Sequence, residues 1–305
     1  MVELVIPAKL AATVVRWEGD DGRRWLAELP RLVHELADEW DLEIEAPFDP
    51  GGNISWVAPA QRRSDGLHAV LKLQHPHPES APEAAGLRAW AGDGAVRLFD
   101  HDPERCALLI ERCRPGAGLA GEAGTDEAVA AGADVGARLH AAPAPDGLPA
   151  LASVLDPWAT EVEARLAQPY GDPGLGRLAV SIMRTRPRSC AHDMLLHGDL
   201  NPTNILSAER TAWLAIDPKP MVGDPAYDGA RLVTQPDPLA TSDPAATLDR
   251  RLAIVSEALG IDRAGLVAWC LTDAVQIGSS DRAEGDHGSA AAHAALAALV
   301  ATHLP

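Results

Sequence analysis

The sequence predicts an α+β protein in which a small sheet-forming part precedes a larger helical one. Three observations carry this reading. Residues 42–46, 54–58, 67–73, 96–99 and 107–110 are apolar pieces of strand length with turn-forming clusters between them. Beyond Arg114-Pro115-Gly116, apolar residues recur at helical spacing over 126–141, 154–168, 174–186, 245–259, 264–278 and 288–303. One compact break, 194–228, interrupts the helices and carries two short apolar strands at 204–206 and 213–216.

The first element is a helix. Trp25, Leu29, Leu32, Val33, Leu36 and Trp40 share one face at helical spacing; Asp20 or Asp21 is available as a cap, and Pro30 is expected to kink or divide the segment. The strands then follow, broken by Pro50-Gly51-Gly52-Asn53 and Ser64-Asp65-Gly66, both rich in residues that tolerate turn geometry. A single helix, 82–91, enters the series. Pro82 suits its first turn, and Glu83 sits at the positive end of its dipole. The Ala-rich stretch 289–304, interrupted by His293 and His303, reads as a terminal helix packed on the body of the protein.

A length of 305 residues allows one large domain or two ordinary ones. The pattern change puts the boundary between 112 and 113: residues 1–112 form the first part and 113–305 the second. The 26 Lys and Arg residues against 44 Asp and Glu give a net charge of -18, which argues against nucleic-acid backbones as partners. The excess is compatible with a cationic small molecule or with an acidic surface that serves solubility. Aromatic residues are too scarce, at 4%, for a base-stacking platform. No run approaches the roughly 18 apolar residues that span a bilayer, and the N-terminal segment has no basic region leading into a long apolar one. The cysteines, Cys106, Cys113, Cys190 and Cys270, are scattered without metal or redox spacing. A cytoplasmic protein, with no membrane or nucleic-acid partner, is expected.

The chemistry concentrates in His197-Gly198-Asp199-Leu200-Asn201-Pro202-Thr203-Asn204-Ile205-Leu206 and in Leu214-Ala215-Ile216-Asp217-Pro218 downstream. Gly198 and Pro202 mark a shaped loop whose polar groups lie between apolar flanks. Phosphoryl transfer from a nucleotide needs a carboxylate for the acceptor hydroxyl's proton, plus an amide oxygen and a second carboxylate for magnesium. Asp199, Asn204 and Asp217 can supply these three parts in that order. Hard oxygen ligands suit magnesium and leave room for its waters.

The H-G-D-x-x-x-x-N run with a strand-borne I-D-P resembles the catalytic loop and metal aspartate of the aminoglycoside phosphotransferase family, a branch of the protein-kinase-like fold. Gly223-Asp224-Pro225-Ala226-Tyr227-Asp228 is similar to that family's G-D-P-x-x-D segment, and residues 83–99 and 213–227 resemble the group of streptomycin 6-kinases and hydroxyurea phosphotransferases. The likeness extends over essentially the whole chain. It implies a bilobal fold with a small antiparallel-sheet N-lobe and a larger, mostly helical C-lobe. It also implies an ATP- and magnesium-dependent O-phosphotransferase, with GTP as the alternative donor, acting on an aminoglycoside-like or other cationic antibiotic. Acceptors of the same group include hydroxyurea, and a basic peptide antibiotic or a metabolite is the alternative.

Residue by residue, the resemblance implies that Asp199 is the catalytic base and that Asn204 and Asp217 bind magnesium. Lys72 stands where the nucleotide lysine stands, and Glu83 would hold its ammonium toward the phosphates. Residues 108–113 resemble the hinge, where the backbone carbonyl of Glu111 and N–H of Cys113 would meet the adenine edge. The loop over the phosphates is represented by Gly52, Asn53 and Ser55, without the G-x-G-x-x-G of protein kinases. Gly198 in place of an arginine leaves no basic residue in the loop to read a phosphorylated activation segment. Acceptor contacts are expected from acidic and amide side chains of the helical part: Asp224, Asp273, Gln276, Asp281 and Glu284.

Each residue also has a plainer reading. A single Asp or Asn in a loop is ordinarily a turn or cap residue, and only the joint spacing favours chemistry. Lys72 could be an edge lysine, though its apolar neighbours favour burial. Glu83 needs no reason beyond the helix dipole, and Glu79 competes as a partner for Lys72. His197 and Asp228 read as braces of the loop rather than as proton carriers. The pair His75 and His77 lacks a third metal ligand. Two rival classes are a non-catalytic nucleotide-binding scaffold, which would have lost one of these groups, and a metal-dependent phosphohydrolase, which would need further His and Asp ligands.

Overall fold

A computed structural model describes residues 4–77, 80–121, 125–166, 171–190 and 192–305. The chain divides into two compact units, one of Met1–Gly92 with Val96–Arg114 and the other of Asp93–Ala95 with Pro115–Pro305.

The first unit opens with helix α1 (Ala8–Glu39) and continues through strands β1 (Leu42–Ile44), β2 (Ser55–Arg62) and β3 (His68–Gln74), helix α2 (Glu83–Trp90), and strands β4 (Leu98–Asp102) and β5 (Ala107–Glu111). The strands form one antiparallel sheet in the order β1-β2-β3-β5-β4. The apolar face of α1, with Leu10, Val14, Trp25, Leu29, Val33 and Leu36, packs on Trp56, Ala58, Leu71, Leu73 and Ala107 of the sheet. Residues two apart on a strand share a face. Leu71 and Leu73 therefore face α1, and Lys72 between them points to the opposite side, with Val57 and Leu108 as its cross-strand neighbours.

The break in α1 falls at Gly19 (φ 59°, ψ -124°), whereas Pro30, expected to divide it, lies inside continuous helix. The reason is steric. Glycine enters positive φ without a Cβ clash, while one proline costs a helix a hydrogen bond and leaves φ helical.

The second unit holds α3 (Asp126–His140), α4 (Leu151–Arg165), α5 (Pro173–Thr185), strands β6 (Met194–Leu196), β7 (Ile205–Ser207), β8 (Trp213–Ala215) and β9 (Met221–Gly223), then α6 (Ala226–Thr234), α7 (Pro244–Leu259), α8 (Arg263–Glu284) and α9 (His287–Ala301). Helix starts follow local chemistry: Thr125, Asp172, Asp243, Asp262 and Asp286 each accept a backbone N–H of the first turn. The Ala-rich α9 buries Ala290, Leu296, Ala297 and Val300. None of the described helices is long and apolar enough to cross a membrane.

The four short strands make two nested antiparallel pairs. β7 pairs with β8, Ile205 opposite Ala215, inside the pairing of β6 with β9, Leu196 opposite Met221. Nesting brings the β6–β7 connection, 197–204, alongside the β8–β9 connection, 216–220. Two backbone hydrogen bonds join them, from Ile216 N–H to Asn204 O (2.9 Å) and from Lys219 N–H to His197 O (2.8 Å).

Candidate active site

In the first unit the side of the sheet away from α1 carries a buried ion pair. Lys72 Nζ lies 2.8 and 2.7 Å from the two carboxylate oxygens of Glu83, the first residue of α2, and Gln74 Nε2 donates to the same carboxylate at 2.7 Å. The Lys72 and Glu83 side chains are only 5% and 1% exposed. Alternation along β3 aims both Lys72 and Gln74 at this carboxylate. Glu79, the other partner considered for Lys72, lies outside the described residues.

Gly52, Asn53 and Ser55 sit where β1 runs into β2. A Cβ on Gly52 would stand 2.9 Å from the backbone oxygen of Ser55, so the loop folds back on the strand only with glycine there. Glu111 ends β5, with its carboxylate accepting Arg97 N–H at 3.0 Å, and Cys113 follows in the segment leaving the sheet.

In the second unit the loop after β6 is held by a buried carboxylate. Asp228 of α6 accepts His197 N–H (2.7 Å) and His140 Nε2 (3.0 Å) on one oxygen and Gly198 N–H (2.8 Å) on the other. Burial opposes its charge, yet these donors hold Asp228 below the ordinary carboxylate range. His197 is fully buried. Its Nδ1 accepts Asp199 N–H (3.3 Å), and Nε2 faces Ile216 O at 3.1 Å, so Nε2 carries the single proton. Burial likewise pushes the His197 pKa down and keeps the ring neutral. The two residues brace the loop. Gly198 has φ +80°, and a Cβ there would lie 2.1 Å from Lys219 O, so an arginine at this position would block the approach of the two connections.

The brace presents Asp199, whose side chain is 14% exposed. Oδ1 accepts Asn201 Nδ2 (3.1 Å) and the guanidinium of Arg231. Oδ2 accepts no hydrogen bond among the described residues, and Lys219 Nζ stands 3.7 Å from it.

Asn204 Nδ2 donates to Asp199 O at 3.0 Å, leaving its amide oxygen without a partner among the described residues. Asp217 directly follows the Ile216–Asn204 backbone bond and is exposed, with φ +54°. Positive φ is uncommon outside glycine, and aspartate tolerates it better than most residues. One amide oxygen and one carboxylate, both hard donors, fit magnesium, which usually takes one or two protein oxygens and completes its shell with water and phosphate. No cluster of three or more His, Cys, Asp or Glu side chains that could hold a metal occurs among the described residues.

Beside Asp199 a shallow pocket opens to solvent within the second unit, about 390 Å³ when its open mouth is counted. Leu155, Trp158, Met183, Tyr227 and Trp269 supply apolar and aromatic wall, while Asp199, Arg231, Thr272, Asp273 and Gln276 supply polar groups. Tyr227 and Trp269 meet edge to face with centroids 5.3 Å apart. Of the expected acceptor contacts, the structure therefore brings Asp273 and Gln276 to Asp199. Asp224 is not brought there: it is buried and accepts Arg186 Nε (2.7 Å), Trp269 Nε1 (2.8 Å) and Ala226 N–H (3.1 Å), which pins α6 to α8 and the segment after α5. Asp281 is also elsewhere. It accepts Ser289 Oγ at 2.6 Å and faces His293 Nδ1 at 3.1 Å on α9, and Glu284 is exposed at the end of α8.

Sequence reasoning missed Arg231, Tyr227, Trp158 and Lys219. Tyr227 and Arg231 are four apart and share a face only once the helix through 226–234 has formed, and that helix is set by packing rather than by a signal in the sequence.

Residues 45–285 match the family model described as aminoglycoside/hydroxyurea antibiotic resistance kinase. A streptomycin 6-kinase of Streptomyces glaucescens is 40% identical over 272 residues, covering 87% of this chain and 86% of its own length. A hydroxyurea phosphotransferase of Kitasatospora aureofaciens is 37% identical over 283 residues, covering 89% and 78%. Among solved structures, the choline kinase LicA of Streptococcus pneumoniae matches with a TM-score of 0.62 at 14% identity, over 90% of this chain and 99% of that one, a likeness of fold. The chain, a small-molecule phosphotransferase with the protein-kinase-like fold expected from its sequence, thus belongs to the family of aminoglycoside/hydroxyurea antibiotic resistance kinases.

Proposed function

We propose that the protein transfers the γ-phosphoryl group of ATP to a hydroxyl of streptomycin or a related cationic aminoglycoside in the cytoplasm, the compartment that supplies the nucleotide. The observation that carries this reading is the pocket beside Asp199, whose Oδ2 accepts no hydrogen bond among the described residues and can take an acceptor's proton, while Asp273 and Gln276 line the same space. The 40% identity to a streptomycin 6-kinase supports the choice of acceptor.

In this mechanism Asp199 orients the acceptor hydroxyl and accepts its proton as the oxygen attacks the γ-phosphorus in line. The bond from that phosphorus to the β–γ bridging oxygen breaks, and ADP leaves. Asn204 and Asp217 would hold magnesium, which when bound offsets charge on the phosphates. Lys72, held by Glu83, whose carboxylate Gln74 also engages, binds the α/β-phosphates; Gly52, Asn53 and Ser55 bring backbone and side-chain donors to the nucleotide. The backbone of Glu111 and Cys113 meets the purine edge. The partly exposed rings of Trp158 and Tyr227, with Trp269 buried behind Tyr227, offer aromatic surface to a cationic ring system.

The test is to incubate the purified protein with magnesium, ATP or GTP, and streptomycin, a second aminoglycoside, hydroxyurea and a basic peptide antibiotic in turn. The expected result is one phosphate mass increment on streptomycin, with ATP the better donor. An increment on hydroxyurea alone would favour the other activity named among the relatives. No increment on any acceptor by a protein that binds ATP would leave a nucleotide-binding scaffold and sink the reading.

A further inference from the structure

The pocket beside Asp199 contains a cation that the mechanism above does not use. Arg231 lies one helical turn after Asp228 on α6, and its side chain is 26% exposed. Its Nη1 donates to Asp199 Oδ1, and its Nε donates to Asp273 Oδ1 at 3.0 Å. Asp273, on α8, is 13% exposed, and among the described residues Arg231 is its only hydrogen-bonding or ionic side-chain partner.

The geometry bears on catalysis in two ways. First, Oδ1 of Asp199 receives both Arg231 and Asn201, whereas Oδ2 receives no hydrogen bond among the described residues. A carboxylate fixed through one oxygen presents the other in one direction, as a proton acceptor requires. Second, Asp199 and Asp273 are two half-buried carboxylates bridged by one guanidinium. Guanidinium is planar, with donors set in different directions, so it can bind two carboxylates at once and fix their spacing. An ammonium reaches such a pair only as a point charge. Burial works against the charge of Arg231, but Asp273 and Asp199 more than offset it, so its pKa is raised and the clamp stays cationic.

We propose that Arg231 is a positioning residue: it clamps Asp199 so that Oδ2 alone meets the acceptor hydroxyl, and ties Asp199 to Asp273 at a fixed spacing. Asp273 Oδ2 is then the anchor for a cationic nitrogen of the same acceptor, amino or guanidino, beside the reacting hydroxyl. The clamp is thereby also a specificity element, favouring acceptors whose hydroxyl and cation lie at that spacing. This inference rests on the reading of Asp199 as the base.

The experiment compares wild type, Arg231→Ala, Arg231→Lys, Asp273→Asn and the double variant Arg231→Ala/Asp273→Asn, with streptomycin as acceptor and kcat and both KM values as readouts. Arg231→Ala is expected to lower kcat by about 10- to 100-fold, the scale of a misplaced reacting group, with KM for ATP unchanged. Arg231→Lys, which keeps the charge but reaches one carboxylate, should recover part of that loss. Asp273→Asn should act mainly on KM for streptomycin, raising it by about tenfold, the scale of a lost charged contact. The double variant should lose less kcat/KM than the product of the single losses, because the two side chains form one unit. A kcat for Arg231→Ala equal to wild type, strictly multiplicative losses, or a loss of ATP affinity as large as the loss of kcat would each overturn the proposal. Failure of the functional reading looks different, since the wild-type protein itself would then transfer no phosphate to any acceptor.

Discussion

Lys72–Glu83 in the first unit and Arg231–Asp199 in the second each place a carboxylate beside a cation, and the two pairs are built differently. In the first unit both Glu83 oxygens meet Lys72 Nζ, Gln74 adds a third donor bond, and the side chains are 5% exposed or less. In the second, Asp199 is engaged through Oδ1 and leaves Oδ2 without a hydrogen bond among the described residues. The first arrangement is a finished ion pair that needs no ligand to hold its geometry. The second is half satisfied, and in a partly buried site an acceptor oxygen left over has a strong tendency to take the next proton or donor offered. The contrast fits a division of labour in which one carboxylate aims a cation and the other performs proton transfer.

The largest expected effect breaks the second arrangement. Asp199→Asn keeps shape and polarity but cannot accept the hydroxyl proton, so turnover should fall by about 10²- to 10⁴-fold, with ATP affinity and unfolding free energy little changed. Steady-state kinetics beside urea denaturation checks both halves, and unchanged turnover removes Asp199 as the base. Glu83→Ala breaks the first arrangement and should act on stability as well as on rate. It leaves the Lys72 ammonium buried without its carboxylate, at a cost of about 3–5 kcal/mol in urea unfolding, and it raises KM for ATP. A Glu83→Ala protein as stable as wild type would mean that the ammonium finds water, and the pair would then be no more closed than Asp199.

The two regions also differ in how much of them could be read from the sequence. Asp199, Asn204 and Asp217 were legible because loops that join short nested strands keep their spacing in the chain, and the strands themselves are marked by apolar triplets. Lys72 and Glu83 were legible from one alternation and one helix start. Arg231 was not. Its nine-residue helix contains Gly229 and is stabilised by burial of Ala226, Ala230, Leu232 and Val233, so its existence depends on tertiary packing more than on propensity. Asp224 and Asp281 misled because acidity alone does not say which neighbour a carboxylate meets. Only the fold places Arg186 and Trp269 at one and His293 at the other.

A smaller effect follows from the brace beneath Asp199. His197 is buried and neutral, and its folded pKa is depressed by that burial. Between the folded value and the unfolded value near 6.5, the unfolded chain therefore binds more protons. The contribution of His197 to stability is full above about pH 6.5 and is lost as pH falls below it, with a slope of up to about 1.4 kcal/mol per pH unit. Urea titrations from pH 7.5 downward should show unfolding free energy flat at first and then falling. A curve that stays flat to pH 5 would mean that His197 is protonated within the fold, against the hydrogen bond its Nδ1 accepts from Asp199 N–H.

The smallest effect sharpens the limits of the acceptor site. Asp281 lies eight residues beyond Asp273 on α8, about 12 Å along the helix axis, and its carboxylate turns to Ser289 and His293 of α9. Asp281→Asn keeps an oxygen for the Ser289 hydroxyl and removes only the charge facing His293. Both side chains are about a quarter exposed, so the change should cost about 0–1 kcal/mol in urea unfolding, as for other solvated pairs. Turnover and KM for streptomycin should stay as in wild type, in contrast to Asp273→Asn. A KM for streptomycin that rises as far in Asp281→Asn as in Asp273→Asn would show that acceptor recognition follows the negative charge of α8 as a whole. The fixed spacing of Asp199, Arg231 and Asp273 would then carry no specificity.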